Sequence, residues 1–299
     1  MLTKEQYVPL LSHNPNVNEV LGIAPGEGIG AIARRIRGVR YSHLLDLHGS
    51  LRSRVLRRLA PGRWRSYEKR WVERLVLIVT KRDIYADQVP VAERYFEAAK
   101  PLDVEPDGGP PDFFIGEEAD RSAAERLADL GLGQDRPIVA VAPGAAHATK
   151  RWPENYWVDL ARRVTPTGAD VAVLGGPDDA ELAGRIAGLA GAGVASLAGT
   201  LGLQETGAVI RRAEALVSGD TGVMHMGTGV GTPLVALFGP TTRQFGFFPY
   251  RSSAGIVELD LSCRPCSAHG GARCPLGHHR CMKQMLPDLV YAAIARALA

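Results

Sequence analysis

Residues 216–242 read LVSGDTGVMHMGTGVGTPLVALFGPTT, and this stretch decides the fold class. Ala215, Leu216 and Val217 form a short apolar run that Gly219-Asp220-Thr221-Gly222 breaks. A helical segment follows through Met226, and Pro233 closes it. Leu234 to Phe238 reads as a second buried strand, and Gly239-Pro240-Thr241-Thr242 turns the chain again. The unit is therefore strand, turn, helix, strand, turn. In an open parallel sheet both turns lie at the carboxyl edge, where ligands bind. Asp220 and Thr221 are placed to cap the helix, and the free N–H groups of its first turn make an anion site. Taken alone, the same letters also describe a capped helix in any α/β protein.

The pattern repeats upstream. Pro137 opens Ile138-Val-Ala-Val-Ala142, an apolar strand of the buried parallel type. It runs into PGAAHATKRWP (143–153) and an amphipathic helix over Glu154–Val164. Thr149 and Lys150 then sit at the carboxyl edge, facing the loops of 216–242. A lysine there serves as a point charge for a diphosphate, and the threonine hydroxyl adds a donor. The next strand, Val171–Leu174, ends in Gly175-Gly176-Pro177-Asp178-Asp179. Asp178, Asp179 and Glu181 compete as acceptors for ribose hydroxyls, with helix capping as the plainer role of each. His225, one turn into the 222–226 helix, can point back at a ligand or pack as a core histidine. Strand and helix alternate through 137–240, which predicts a doubly wound sheet.

With these motifs in hand, SGDTGVMHMGTGVGTPLVALFGPT (218–241) resembles the donor-binding signature of glycosyltransferase family 9, the heptosyltransferases. The 143–153 loop is similar to that family's P-G-(small)-x-x-x-T-K-x-W-P element, and Leu197-Ala-Gly199 with Leu203 and Glu205 matches a further stretch. EQYVPLLSHNPNVNEVLGI, YSHLLDLHGSLRSRVL and DQVPVAERYFEA resemble its acceptor-side segments. The resemblance implies a GT-B architecture: two doubly wound, Rossmann-like α/β domains facing across a cleft. It implies transfer of a heptose or similar sugar from ADP-heptose to a lipopolysaccharide core acceptor, with inversion and without a metal cofactor. Donor binding then falls to Thr149, Lys150, Asp178, Asp220, Thr221, Gly222, His225, Gly239 and Thr241, and acceptor binding to His48 and Arg52. Family members carry an earlier strand and a Gly-Asp turn that supplies the proposed base. The resemblance starts after them, so roughly 45 residues, a strand, a helix and a second strand, are expected to be missing. Asp46 and His48 are the visible stand-ins for that base. The alternatives are an impaired nucleotide-sugar-binding protein and another GT-B enzyme, such as a sugar-nucleotide epimerase.

Organisation follows from punctuation. PLDVEPDGGPP (101–111) is the richest linker, and Phe113-Phe114-Ile115 is expected on the edge of the first domain. The expected division is an acceptor-side domain over 1–132, a donor domain over 133–282 and a closing helix, 283–299, that returns to the first domain. Leu75–Val79 reads equally as helix or strand. Gly26, Gly28 and Ala31 fit a dinucleotide fingerprint with Asp46 as its acid, but so short a pattern recurs by chance. Arg52, Arg54, Arg57 and Arg58 crowd one segment, either as a solvated face or as a wall for an anionic lipid acceptor.

Charge is nearly balanced at +3 over 299 residues, which points away from nucleic acid. No apolar run reaches the roughly 18 residues of a membrane span, and the chain reads as a cytoplasmic monomer. Its lipid-linked acceptor would place it, when peripheral, on the inner face of the cytoplasmic membrane. The four cysteines, Cys263, Cys266, Cys274 and Cys281, crowd one segment. They can hold a structural Zn²⁺ or stand as reduced thiols, since the spacing lacks a second C-x-x-C.

Overall fold

The computed structural model describes residues 1–298. Its ten strands are β1 (Leu2–Lys4), β2 (Leu21–Ile23), β3 (Leu44–Asp46), β4 (Trp64–Ser66), β5 (Ile138–Ala142), β6 (Asp170–Val173), β7 (Val194–Ser196), β8 (Ala215–Gly219), β9 (Leu234–Phe238) and β10 (Ala254–Glu258). The helices begin with α1 (Ile29–Arg37), α2 (Leu51–Leu59), α3 (Trp71–Thr80), α4 (Val91–Arg94), α5 (Phe96–Ala99) and α6 (Glu117–Asp129). They continue with α7 (Glu154–Val164), α8 (Ala180–Ala190), α9 (Leu203–Arg212), α10 (Gly222–Val230), α11 (Arg280–Lys283) and α12 (Pro287–Ala297).

Strands β5 to β10 build one parallel sheet in the order β10-β9-β8-β5-β6-β7. The continuous apolar runs explain it. All five residues of β5, β8 and β9 are buried, as strands covered on both faces must be. One face packs Trp157, Leu160, Ile186 and Met282; the other packs Leu127, Ile210, Met224 and Phe238. Chain order reverses between β5 and β8, so the topological switch point lies there, and the loops after these strands flank a crevice.

The first part of the chain is built more lightly. β1 pairs in parallel with β2, and β3 with β4, as two separate two-stranded sheets. A small core of Ile32, Ala33, Ile36, Leu56 and Ala60 lies beneath α1 and α2. The undecided stretch around Leu75 is helical, as α3, and only Leu77 within it is buried. The loop over 243–251 joins the two parts. Gly246 O accepts the Val91 amide (2.9 Å), Phe245 O accepts Arg94 Nη2 (2.7 Å), and Tyr250 Oη donates to Glu93 (3.0 Å).

Three expectations shift. Phe113 and Ile115 do not extend a first-domain sheet. The Phe113 amide donates to Gly229 O (2.8 Å), and both side chains pack against Gly207 in the larger unit. Helix α6 buries Ala123 and Leu127 in the core under the six-stranded sheet. The closing helix α12 does not return to the first part; Val290, Ala293 and Ile294 join the core on the other face of that sheet. Three apolar letters say that a segment is buried, not against what. On packing grounds we propose that the division falls near residue 112 rather than at 132–133.

Asp120 ties α6 to α9 by accepting from Arg211 and from both guanidinium Nη atoms of Arg212, with Arg212 Nη2 at 2.8 Å from Oδ2. The Arg212 bonds, foremost, hold its carboxyl at about 2, below the ordinary 3.8. Because the folded value is the lower one, this stabilisation is complete above the unfolded pKa and is lost as pH falls from about 4 towards 2. Asp120→Asn should remove about 1–2 kcal/mol at neutral pH, after solvent screening, and flatten the acid limb of stability between those values. Urea unfolding at stepped pH reads it; parallel profiles for the two proteins would refute the assignment.

Candidate functional site

The crevice is formed by three loops that leave the neighbouring strands β5, β8 and β9. Asp220 follows β8, and Lys150 comes over from the loop after β5. Lys150 Nζ lies 2.7 Å from Asp220 Oδ2 and 3.1 Å from the Asp220 carbonyl oxygen. Thr241, after β9, donates its hydroxyl to the same Oδ2 at 2.8 Å. The pair is largely desolvated, with side-chain exposures of 14% and 9%. One carboxylate oxygen thus fastens all three loops, and the lysine remains at the lip of the crevice.

Helix α10 begins at this point. Thr221 occupies the N-cap position but makes no capping bond; its hydroxyl meets Ser218 Oγ at 3.1 Å. The first-turn amides are therefore left without a side-chain acceptor, contrary to the expected cap. A β-carbon added at Gly222 would meet nothing within 4 Å, so open space lies before the helix start. Amides without a side-chain acceptor, the positive end of a helix dipole and a nearby ammonium together favour an anion.

His225 is one turn along. Crowding by protein, foremost, and the Lys150 ammonium lower its pKa, against the raising effect of the Asp220 carboxylate. The residue keeps exposed surface. At neutral pH it is an uncharged imidazole with one N–H to donate. His269, from the cysteine-bearing segment, also has a lowered pKa, through desolvation first and then the cations Arg74 and Lys150. Its ring lies 6.1 Å from that of Phe247. The sequence reading singled out neither His269 nor Arg74; 195 positions separate the two, and no local pattern joins them.

Other expected residues take different places. Thr149 is buried (4% exposed) and its polar atoms are occupied. Its amide donates to Gly271 O (3.1 Å), its hydroxyl accepts the Gly271 amide (2.8 Å), and His279 Nε2 lies 2.9 Å from its carbonyl oxygen. It clamps the lysine loop rather than offering a free donor. Asp179, not Asp178, closes over Gly144 and accepts the Gly176 amide (3.1 Å), leaving Asp178 exposed. On the far side, Asp46 Oδ1 accepts the amides of His48 (3.1 Å) and Gly49 (2.8 Å), so that carboxylate shapes a turn. His48 is exposed, and Arg52 donates to the Glu27 carbonyl at 2.7 Å.

The Cys263–Cys281 segment braces the site from behind. Arg264 donates to the carbonyls of Gly239 and Thr241, the latter at 2.9 Å, and the Cys266 amide donates to Pro240 O at 3.1 Å. All four cysteines are free thiols. Burial, with help from Cys266, pushes Cys281 up to about 11, and burial raises Cys266 as well. Among the described residues, no group of three or more His, Cys, Asp or Glu side chains is placed to hold a metal ion. Gly239 is needed where it stands: a β-carbon there would lie 2.4 Å from Sδ of the buried Met282. Gly239→Ala should cost about 1–3 kcal/mol and displace the Thr241 loop. A melting curve and an ADP titration of that variant read both effects; unchanged values would show that Met282 yields freely.

Comparison with known proteins identifies the family. A family model described as "Glycosyltransferase family 9 (heptosyltransferase)" matches residues 29–274, most of the sequence. The chain belongs to glycosyltransferase family 9. This family-9 chain is 30% identical to Lipopolysaccharide heptosyltransferase 2 of Salmonella typhimurium, over 94% of its own length and 84% of that protein. Among solved structures it is similar to a glycosyl transferase family 9 protein from Veillonella parvula, with TM-score 0.81, 21% identity and coverage of 99% and 87%. It is also similar to the E. coli ADP-heptose lps heptosyltransferase II, with TM-score 0.73, 24% identity and coverage of 99% and 88%. The family-9 chain thus shares the α/β fold of these structures, as expected.

Proposed function

We propose that this chain transfers a heptose, or a similar sugar, from an ADP-sugar to a lipopolysaccharide core-type acceptor. The observation that carries the reading is the Lys150–Asp220–Thr241 cluster at the open start of α10. It lies at the switch point of a parallel sheet, where nucleotides bind, in a chain akin to a lipopolysaccharide heptosyltransferase. The leaving diphosphate gains charge as the glycosidic bond breaks. Lys150 and the α10 amides meet that charge, and no metal is needed for it. Attack from the opposite face of the sugar gives inversion. Neutral His225 donates to a phosphate or sugar oxygen, and Asp178 remains exposed for the ribose. The acceptor enters from the first unit, past His48 and Arg52. Such an acceptor is lipid-linked, so the protein works at the inner face of the cytoplasmic membrane; no described helix is long and apolar enough to cross it.

The test pairs calorimetry with a transfer assay, both with EDTA present. Binding of ADP, and heptose transfer from ADP-heptose to a lipopolysaccharide core acceptor, are expected. Failure to bind ADP would remove the donor-site assignment. An epimerised sugar nucleotide formed from donor alone would replace transfer with epimerisation.

A further inference from the structure

The charges fastened at the crevice do not by themselves balance a diphosphate. Lys150 is already paired with Asp220 at 2.7 Å, so the two together contribute no net charge. The start of α10 adds only about half a positive charge. Arg264, behind the β9 loop, is spent on Glu258 (2.6 Å) and the Thr241 carbonyl (2.9 Å). Ala145 and Ala146 have no polar side-chain atoms, and Gly271 occupies Thr149. Arg151 is the cation of this loop left over. It follows Lys150 directly and is exposed. Its Nε donates to the Ala145 carbonyl oxygen at 2.9 Å, which folds the side chain back across its own loop and holds the guanidinium near the end of β5. Among the described residues, Nη1 and Nη2 make no hydrogen bond or ion pair, not even with Asp179, whose carboxylate closes over the neighbouring Gly144. A guanidinium pinned through Nε keeps its two-pronged edge free. The pin also removes side-chain freedom that binding would otherwise have to remove.

We propose that Arg151 is the second cation of the donor site. Its Nη1 and Nη2 take the diphosphate of the ADP-sugar from the β5 side, while Lys150 and the α10 amides take it from the β8 side. The division follows from the sheet. β5 and β8 are hydrogen-bonded neighbours, so a ligand lying across the switch point meets the loops of both. The planar fork matches a pair of phosphate oxygens, which a lone ammonium meets only as a point charge. With Arg151 counted, the site turns from a neutral pair into one with net positive charge. That charge meets the anion in the ground state and the further charge gained as the sugar leaves. The inference rests on the donor-site reading above and adds to it the group that makes that site cationic.

Calorimetry with ADP at stepped potassium chloride, on the natural chain, Arg151→Gln and Arg151→Lys, tests it. The natural chain is expected to bind ADP, more weakly as salt rises. Arg151→Gln should bind roughly ten- to thirtyfold more weakly at low salt, the loss of one charge-assisted contact. Its salt dependence should be shallower, so that the two proteins converge at high salt. Arg151→Lys should fall between them, because it keeps the charge and loses the fork. Adenosine, which has no phosphate, should bind all three alike. The position is exposed, so melting temperatures should hold; if the glutamine variant does not fold, the ADP affinity of the lysine variant decides. An arginine that only braces the loop through Ala145 would, when replaced, lower the melting temperature and weaken ADP equally at every salt concentration. That result overturns the proposal, as does unchanged ADP affinity in a folded variant of a chain that binds ADP. A natural chain that does not bind ADP is a separate result: it removes the donor site as a whole, and the role of Arg151 with it.

Discussion

Asp220→Ala is expected to lower the unfolding free energy by about 3–5 kcal/mol. The carboxylate is buried (8% exposed) and is the shared acceptor for Lys150 and Thr241. Removing it leaves an ammonium and a hydroxyl desolvated without their partner, which costs far more than the net worth of the pair. Three loops from three strands also lose their common fastening. Asp220→Asn should fall between, because an amide oxygen still accepts from Thr241 but carries no charge for Lys150. If Lys150 faces a diphosphate, saturating ADP gives the stranded ammonium a new partner and should recover part of the loss in the alanine variant. Urea unfolding with and without ADP measures both quantities. A change within about 0.5 kcal/mol, the range of ordinary surface exchanges, would mean that Lys150 swings free to water and the cluster fastens nothing.

Lys150→Ala should reduce sugar transfer by about ten- to a hundredfold. A charge-assisted contact of this kind contributes roughly 1.5–3 kcal/mol, and each 1.4 kcal/mol is a factor of ten in rate. The alanine variant also strands Asp220, so the assay belongs at a temperature where the variant is shown to be folded. Lys150→Arg should not restore full rate, because a planar fork cannot reproduce a point charge already held between a carboxylate and a carbonyl oxygen. Unchanged donor affinity and rate in folded Lys150→Ala would end the assignment of this lysine to the diphosphate.

Much of the larger unit was legible because its signals are local. Continuous apolar runs at 138–142, 215–219 and 234–238 mark strands covered on both faces, and glycine and proline mark their ends. Lys150 and Asp220 followed from the same reading, since both sit one loop past a strand at a shared edge. What stayed hidden depends on distant partners. Thr149 looked like a free hydroxyl because Gly271, which occupies it, is 122 positions away. Asp178 and Asp179 are neighbours, and only the approach of Gly144 shows which one is folded inward. The closing helix was expected on the first domain, yet periodicity reports that a stripe is apolar and not which core receives it. The absent cap at Thr221 is subtler: Ser218, three residues back, takes the hydroxyl that the helix was expected to use.

The uneven building of the two units has a consequence for how the protein reports on itself. Six hydrogen-bonded strands and a core on both faces stand against two separate strand pairs over a small cluster. Heating should therefore disrupt the first unit before the second, and one midpoint would not describe both. The tryptophans divide along the same line. Trp152 and Trp157 are buried in the larger unit at 3% and 2% exposure, edge to face at 4.9 Å, whereas Trp71 is 68% exposed and Trp64 lies on the short strand β4. A red shift in intrinsic fluorescence is thus dominated by the unit that carries Asp220 and Lys150. Far-ultraviolet dichroism sees helices of both. The gap between the two signals on a single melt is a direct reading of how far the first unit loosens while the crevice at Lys150 is still intact.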